Sequence, residues 1–210
     1  MFSTTAAIIV DLQEDFTTLM NGALPVPGSD EHFIQETAEC AAALKAQGCR
    51  IYGTIDWHPR DHISFYTSHP GKKAFDSIEI DGHSQKLWPP HCIQESAGAV
   101  PLVPPGLCET FITKGRNPRF DSYSGFFDDG GVATGLDDIL RQNNIDTLLI
   151  CGLAFDYCVK ATALDAIRLG YTVIIIKELT AAVDPDSAEQ AQQELTAAGV
   201  CFISAASLLF

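Results

Sequence analysis

The sequence predicts a three-layer α/β/α domain on a six-stranded, mainly parallel sheet. Three observations carry this. Short apolar runs alternate along the chain with stretches of helical spacing, the order in which strands and crossover helices build a parallel sheet. Several of those runs, such as Ile8-Ile9-Val10 and Leu148-Leu149-Ile150, are apolar without alternation, as befits strands covered on both faces. No linker, internal repeat or low-complexity tract interrupts the 210 residues, so residues 1–210 read as one domain.

Taken in order, Thr5 to Val10 is a first strand that stops at Asp11, and a Gly- and Pro-bearing loop follows. From Glu31 to Gln47 the apolar positions Phe33, Ile34, Ala38, Ala41 and Leu44 fall at helical spacing, and Gly48 is a stop signal. Arg50 to Ile55 is a second strand, ending at Asp56. The segment from Trp57 to Gly106 reads as irregular and holds His58, His62, His69, His83 and His91. A connection this long inside a compact domain is usually functional. Glu109 to Thr113 is a third strand ending at Lys114, and an aromatic-rich loop follows it. Ala133 to Asn143 reads as a helix, Ile145 to Cys151 as a strand, and Asp156 to Leu169 as a helix. Tyr171 to Ile176 is the fifth strand, Ser187 to Ala198 a helix announced by Asp184-Pro185-Asp186, and Cys201 to Ser204 the last strand.

Composition bounds the partners. The balance of 27 acidic against 13 basic residues disfavours nucleic acid and anionic membrane surfaces, both of which attract basic patches. Seven scattered cysteines without a CxxC pair read as reduced thiols, and the N-terminal apolar run stops at Asp11, too early for a signal peptide or a membrane span. A cytoplasmic location is the expectation.

In open parallel sheets, ligands bind outside the carboxyl ends of the strands. Asp11, Asp56 and Lys114 each end a strand, and Cys158 follows the end of a fourth, so four reactive side chains converge on one rim. A thiol at a helix N-terminus feels the helix dipole, which favours thiolate. Asp11 and Lys114 supply a carboxylate and a cation for that nucleophile; the plainer alternative is an ion pair beside a buried cysteine. Asp56 and His58, on the same side of a strand-like DWH, could share a divalent ion with His91, or the histidines could be solvated loop residues. Phe16, Trp88 and Tyr123 could sandwich a flat ring at the same rim or anchor loops to the core.

The motifs IIVDLQEDF, IDWHPRDHISF, LWPPHC, ITKG, DSYSGF and GLAFDYCVKATALDA run through nearly the whole chain. Together they resemble the nicotinamidases (pyrazinamidases), amidohydrolases of the isochorismatase-like cysteine hydrolase superfamily. TKG and GLA-x-DYCV mark the superfamily; DWH and WPPHC narrow it. The resemblance implies the isochorismatase-like fold and a catalytic triad of Asp11, Lys114 and Cys158. It also implies one divalent metal on Asp56, His58 and His91: zinc, with iron or manganese as alternatives. Phe16, Trp88, Tyr123 and Ala154 would contact the substrate. Backbone N–H groups of Ala154 and Cys158 would form an oxyanion hole, with a cis peptide at Leu153-Ala154.

The implied activity is hydrolysis of nicotinamide to nicotinate and ammonia in NAD salvage, through a thioester on Cys158, with pyrazinamide as a second substrate. Two features depart from the family pattern. Phe155 replaces a smaller residue, with an expected effect on the pocket wall, and the Lys114–Tyr123 loop is longer than in compact members. His62 is left open as a ligand, its spacing from His58 being shorter than in members that use it. Rival readings are a sister hydrolase of another amide or carbamoyl compound, a silent binding homologue, and a redox thiol protein. The last lacks a resolving cysteine, since Cys151 lies on the strand before the turn. Monomer and homo-oligomer both remain open.

Overall fold

The computed structural model describes residues 2–19, 22–80 and 82–208, with the backbone alone for His83. Six strands form one sheet: β1 (Thr5–Val10), β2 (Arg50–Asp56), β5 (Thr110–Lys114), β6 (Thr147–Leu153), β7 (Thr172–Ala181) and β8 (Cys201–Ile203). Their order is β5-β2-β1-β6-β7-β8, and every adjacent pair is parallel. The sheet expected to be mainly parallel is therefore wholly so. The chain leaves β1 in both directions across the sheet, which makes the β1/β6 boundary a topological switch point, where open α/β sheets place their ligands.

Period-two alternation divides the core. Ala6, Ile8 and Val10 of β1 face α2 (Leu136–Gln142), α3 (Lys160–Arg168) and α4 (Pro185–Ala197). Ala7 and Ile9 face α1 (Glu31–Ala46) and the long connection after β2. Ile8, Leu148 and Ile150 are fully buried, each such side chain contributing about 1.5–3 kcal/mol.

The helix ends follow local chemistry. Asp30 caps α1 by accepting the Phe33 N–H at 3.0 Å, and Gly48 at φ 90° leaves the helix beyond it. Asp184 caps α4 and Pro185 occupies its first turn, so the helix starts two residues ahead of the expected Ser187. α2 begins at Leu136 rather than Ala133 because Gly135 is left-handed.

Two departures are larger. β7 runs on to Ala181, past an irregularity in its pairing with β6; Lys177 and Glu178, exposed on the strand, hid this extension. The segment expected to be irregular carries an antiparallel hairpin, β3 (Ser77–Ile80) and β4 (His83–Lys86). None of the helices among the described residues is long and apolar enough to cross a membrane.

Candidate active site

Three adjacent strands deliver three charges. Asp56 and Lys114 are register partners at the ends of β2 and β5, and Asp11 follows β1 on the other side of β2. Lys114 is 2 % exposed, and its Nζ lies 2.8 Å from Asp11 Oδ2, 2.5 Å from Asp56 Oδ1, 2.8 Å from the Ser122 carbonyl oxygen and 3.3 Å from Cys158 Sγ. One ammonium therefore touches both carboxylates and the thiol. The structure brings together the whole set expected from the strand ends.

Burial pushes the Asp11 carboxyl above its ordinary value; Lys114 opposes the rise and Asp56 adds to it. Burial acts on Asp56 the same way, but Lys114 and then His58 outweigh it and hold that carboxyl well below the usual range. The Lys114 ammonium, although desolvated, is held well above its ordinary value by the two carboxylates. Asp56 is thus the fixed anion of the pair, and Asp11 is the one with affinity for a proton.

Cys158 departs from the expectation for a helix N-terminus. It lies in a π-helical turn, Phe155–Val159, and α3 starts only at Lys160. Burial raises its thiol well above the ordinary value, with Lys114 opposing. Desolvation outweighs the helix end and favours the thiol over the thiolate. Asp11 Oδ1 accepts the Thr54 hydroxyl at 2.6 Å, whereas Oδ2 is buried beside Lys114 without an aligned hydrogen-bond donor. Ligating atoms of Asp11, Asp56 and Cys158 all lie within 4.8 Å of one another.

Asp11 itself has φ 45°, a region that Asp tolerates better than most residues. Its N–H is held by Thr54, to the carbonyl oxygen at 3.1 Å and to Oγ1 at 3.2 Å. Gly152 at φ 108° lets β6 pass β1, since a Cβ there would meet the Val10 carbonyl oxygen at 2.1 Å. The following peptide, Leu153-Ala154, is cis, as the resemblance implied.

Asp56, His58 and His91 form a second buried cluster whose ligating atoms lie within 4.8 Å of one another. His58 Nδ1 is 3.0 Å from the Gly115 carbonyl oxygen, and His91 Nδ1 is 2.7 Å from that of Pro89. Each carbonyl accepts a hydrogen bond from Nδ1–H, which turns the basic Nε2 inward, toward Asp56 Oδ2 at 3.5 and 3.9 Å. Two oriented imidazoles and an ionised carboxylate fit a divalent metal ion with open positions.

His62 does not join them. Its Nδ1 is 2.7 Å from Ser64 Oγ and its Nε2 3.1 Å from the Phe120 carbonyl oxygen, so both nitrogens are used. Burial and the neighbouring His58 push it down to about 4. It packs its ring on His58 at 4.3 Å and supports the cluster from outside. Of the histidines set aside, His32 is exposed on α1 beside Glu36, and His69 bonds the Ile63 carbonyl oxygen.

Between the two clusters lies a small cavity of about 30 Å³, walled by Phe16, Trp88, Tyr123, Ala154 and Cys158 among others. Trp88 Nε1 donates to Tyr123 Oη at 2.9 Å, and the Trp88 ring meets Tyr157 edge-on at 4.9 Å. Phe16 stands 5.2 Å from the His91 ring. Asp15 stitches these loops together, accepting N–H groups from Cys92 at 2.7 Å and Ala23 at 3.0 Å.

Phe155, expected to shape the pocket wall, does not line this cavity. It points into the helical side of the core, against Phe202 at 6.3 Å. Cys151 is buried in the opposite core, its thiol toward the Ile8 carbonyl oxygen, far from any resolving role. Sequence reasoning passed over Thr54, Tyr157, Asp121 and Gln13. Gln13, fully buried, clasps the Asp56 backbone through Oε1 at 2.7 Å and Nε2 at 2.9 Å. Its place in the IIVDLQEDF motif, two residues after Asp11, was the available signal.

Comparison with known proteins identifies relatives along nearly the whole chain. An isochorismatase domain model matches residues 5–207. The Escherichia coli nicotinamidase is 41% identical over 203 residues, covering 92% of this chain and 92% of that one. The structure of an Acinetobacter baumannii nicotinamidase/pyrazinamidase superposes with a TM-score of 0.91 at 36% identity, covering 99% of both chains. A Pyrococcus horikoshii pyrazinamidase in complex with zinc superposes with a TM-score of 0.79 at 35% identity, covering 96% of this chain and 99% of that one.

Proposed function

The chain belongs to the isochorismatase family, and on that premise we propose that it is a nicotinamidase, hydrolysing nicotinamide to nicotinate and ammonia in NAD salvage. The observation that carries the reading is Lys114, whose ammonium joins the nucleophile Cys158, the base Asp11 and the metal-side carboxylate Asp56 in one buried group. A nucleophile and a ring anchor held at fixed separation suit a flat heteroaromatic ring bearing one amide. Pyrazinamide, of the same shape, is a second substrate.

Cys158 Sγ attacks the carboxamide carbon, forming the S–C bond, while its proton passes to Asp11 Oδ2. The carbonyl π pair moves onto oxygen, where backbone N–H groups of Ala154 and Cys158 stabilise it; one such donor is typically worth about 10²–10³ in rate. Asp11 then gives the proton to the nitrogen, the C–N bond breaks, and ammonia leaves a thioester. Water attacks the thioester as Asp11 accepts its proton. Collapse of that adduct breaks the S–C bond and releases the acid, and the sulfur recovers its proton from Asp11. Throughout, Lys114 stays an ammonium and keeps Asp11 and the sulfur from facing each other as unscreened anions.

Phe16 and Trp88 flank the ring and Tyr123 closes the pocket beside it. Asp56, His58 and His91 would hold the metal, zinc in our reading, which when bound would supply a Lewis-acid anchor for the pyridine nitrogen. All seven cysteines are free, in keeping with a cytoplasmic enzyme.

The test is ammonia release from nicotinamide by wild-type protein and by Cys158→Ala, with metal content measured on both. Wild-type turnover and loss of at least about 10³-fold in the variant are expected. Substantial release by Cys158→Ala sinks the mechanism, and none by metal-loaded wild type sinks the assignment.

A further inference from the structure

We propose that Asp121 is a specificity-determining residue whose charge makes the metal-loaded cavity electrically neutral, so that it holds the neutral amide and disfavours the anionic acid. The inference rests on the amidase reading above. Asp121 is 4 % exposed and lines the same cavity as Cys158, Asp56 and His91, yet the mechanism gives it no task. Its Oδ1 accepts the Ser122 N–H at 2.9 Å, and its Oδ2 accepts Gln85 Nε2 at 2.9 Å from β4 of the hairpin. Both donors are neutral. Among the described residues Asp121 forms no ion pair with a cationic side chain, unlike Asp11 and Asp56, which share Lys114.

The charges around the cavity then sum as follows. Lys114 offsets one of its two carboxylates. A divalent ion on Asp56 and two neutral imidazoles leaves one net positive charge, and Asp121 cancels it. Without Asp121 the loaded cavity would carry a positive charge, the complement of a carboxylate. The amide is neutral and its product is an anion, so hydrolysis converts a matched ligand into a mismatched one. Selectivity here is a difference of two affinities, and a fixed charge in a poorly screened cavity acts on only one of them.

The competing explanation is structural: Asp121 holds the loop whose Ser122 carbonyl accepts from Lys114. Two kinds of variant separate the ideas. Asp121→Asn keeps the size and the acceptor for Ser122 while removing the charge. Gln85→Leu removes support for the carboxylate and keeps the charge. In a Cys158→Ala background saturated with metal, dissociation constants for nicotinate and nicotinamide are measured by calorimetry. Asp121→Asn is expected to favour nicotinate over nicotinamide by about tenfold relative to the parent, and Gln85→Leu to leave the ratio within about twofold. Asp121→Ser, uncharged and smaller, must move the ratio in the same direction as Asp121→Asn. An unchanged ratio in both uncharged variants, or an equal change in Gln85→Leu, overturns the proposal. Wild-type turnover of nicotinamide, followed in the same series, reports on the amidase reading alone.

Discussion

Thr54 Oγ1 donates to Asp11 Oδ1 at 2.6 Å, and the same oxygen lies 3.2 Å from the Asp11 backbone N. One hydroxyl thus fixes both the rotamer of the proposed base and the left-handed backbone that presents it. It also leaves Oδ2 as the oxygen that would receive the thiol proton in the proposed mechanism. Thr54→Val keeps the shape and removes the bond, leaving a buried acceptor unsatisfied at about 1–3 kcal/mol. We expect kcat to fall by about 10–100-fold with KM within about threefold, and Thr54→Ser to recover most of the loss. Steady-state kinetics of the two variants decide it; an equal fall in both would assign Thr54 to packing.

Metal binding separates His62 from His91. His91→Asn should lower metal affinity by at least about tenfold, whereas His62→Asn, which touches no ligating atom, should retain wild-type stoichiometry while losing thermal stability. Dialysis against a graded chelator with metal analysis reads both. Metal-free wild type should show weakened nicotinamide turnover, and unchanged kinetics in verified metal-free protein would reject the ring-anchoring role.

Gly115 gives the ITKG motif a geometric meaning. Its carbonyl oxygen sets the His58 ring, and at φ 64° a Cβ would lie 2.3 Å from His58 Cε1. Gly115→Ala should therefore displace His58 and weaken metal binding by about tenfold or more, although residue 115 is itself no ligand. Retention of wild-type affinity by a folded Gly115→Ala protein would contradict this placement.

Alkaline pH should destabilise the fold. Burial raises Cys49 and Cys108 from 9.0 to about 11, and raises Cys151 further still. A raised thiol keeps its proton in the native state after the unfolded chain has released it. The contribution is complete below about pH 9 and is lost as pH climbs from 9 toward 11. Urea midpoints at pH 8 and pH 10.5 should fall between the two, and Cys151→Ala should reduce the drop; a flat midpoint counts against it.

The sheet was legible because its strands are apolar runs buried on both faces, and β1 matches its expected limits from Thr5 to Val10. Strand ends carry Asp11, Asp56 and Lys114, so linear sequence and topology together bring these groups to one rim. The hairpin was not legible: Ser77, Glu79, Ser84 and Lys86 are polar and it packs no continuous apolar face. Thr54, Gln13 and Asp121 were missed because each acts through a partner dozens of residues away, as Gln13 and Asp56 do at a separation of 43. The direction of Phe155 depends on the π-helical turn, which residue spacing for an ordinary α-helix misplaces. The state of the Cys158 thiol depended on burial, a tertiary property that outweighs the local helix end.

The long connection between β2 and β5 supplies His58, Trp88, His91 and the hairpin, whereas Asp11, Lys114 and Cys158 sit on or directly behind sheet strands. The proposed bond-breaking groups therefore belong to the sheet frame, while the ligand-facing surface is shared: the long connection gives Trp88 and His91, and Phe16, Asp121 and Tyr123 come from loops outside it. Substitution within residues 57–106 then reshapes one part of that surface and leaves Asp11, Lys114 and Cys158 in place. Exchange of that one segment between relatives should therefore shift substrate preference only in part, because Phe16, Asp121 and Tyr123 keep their share of the pocket wall.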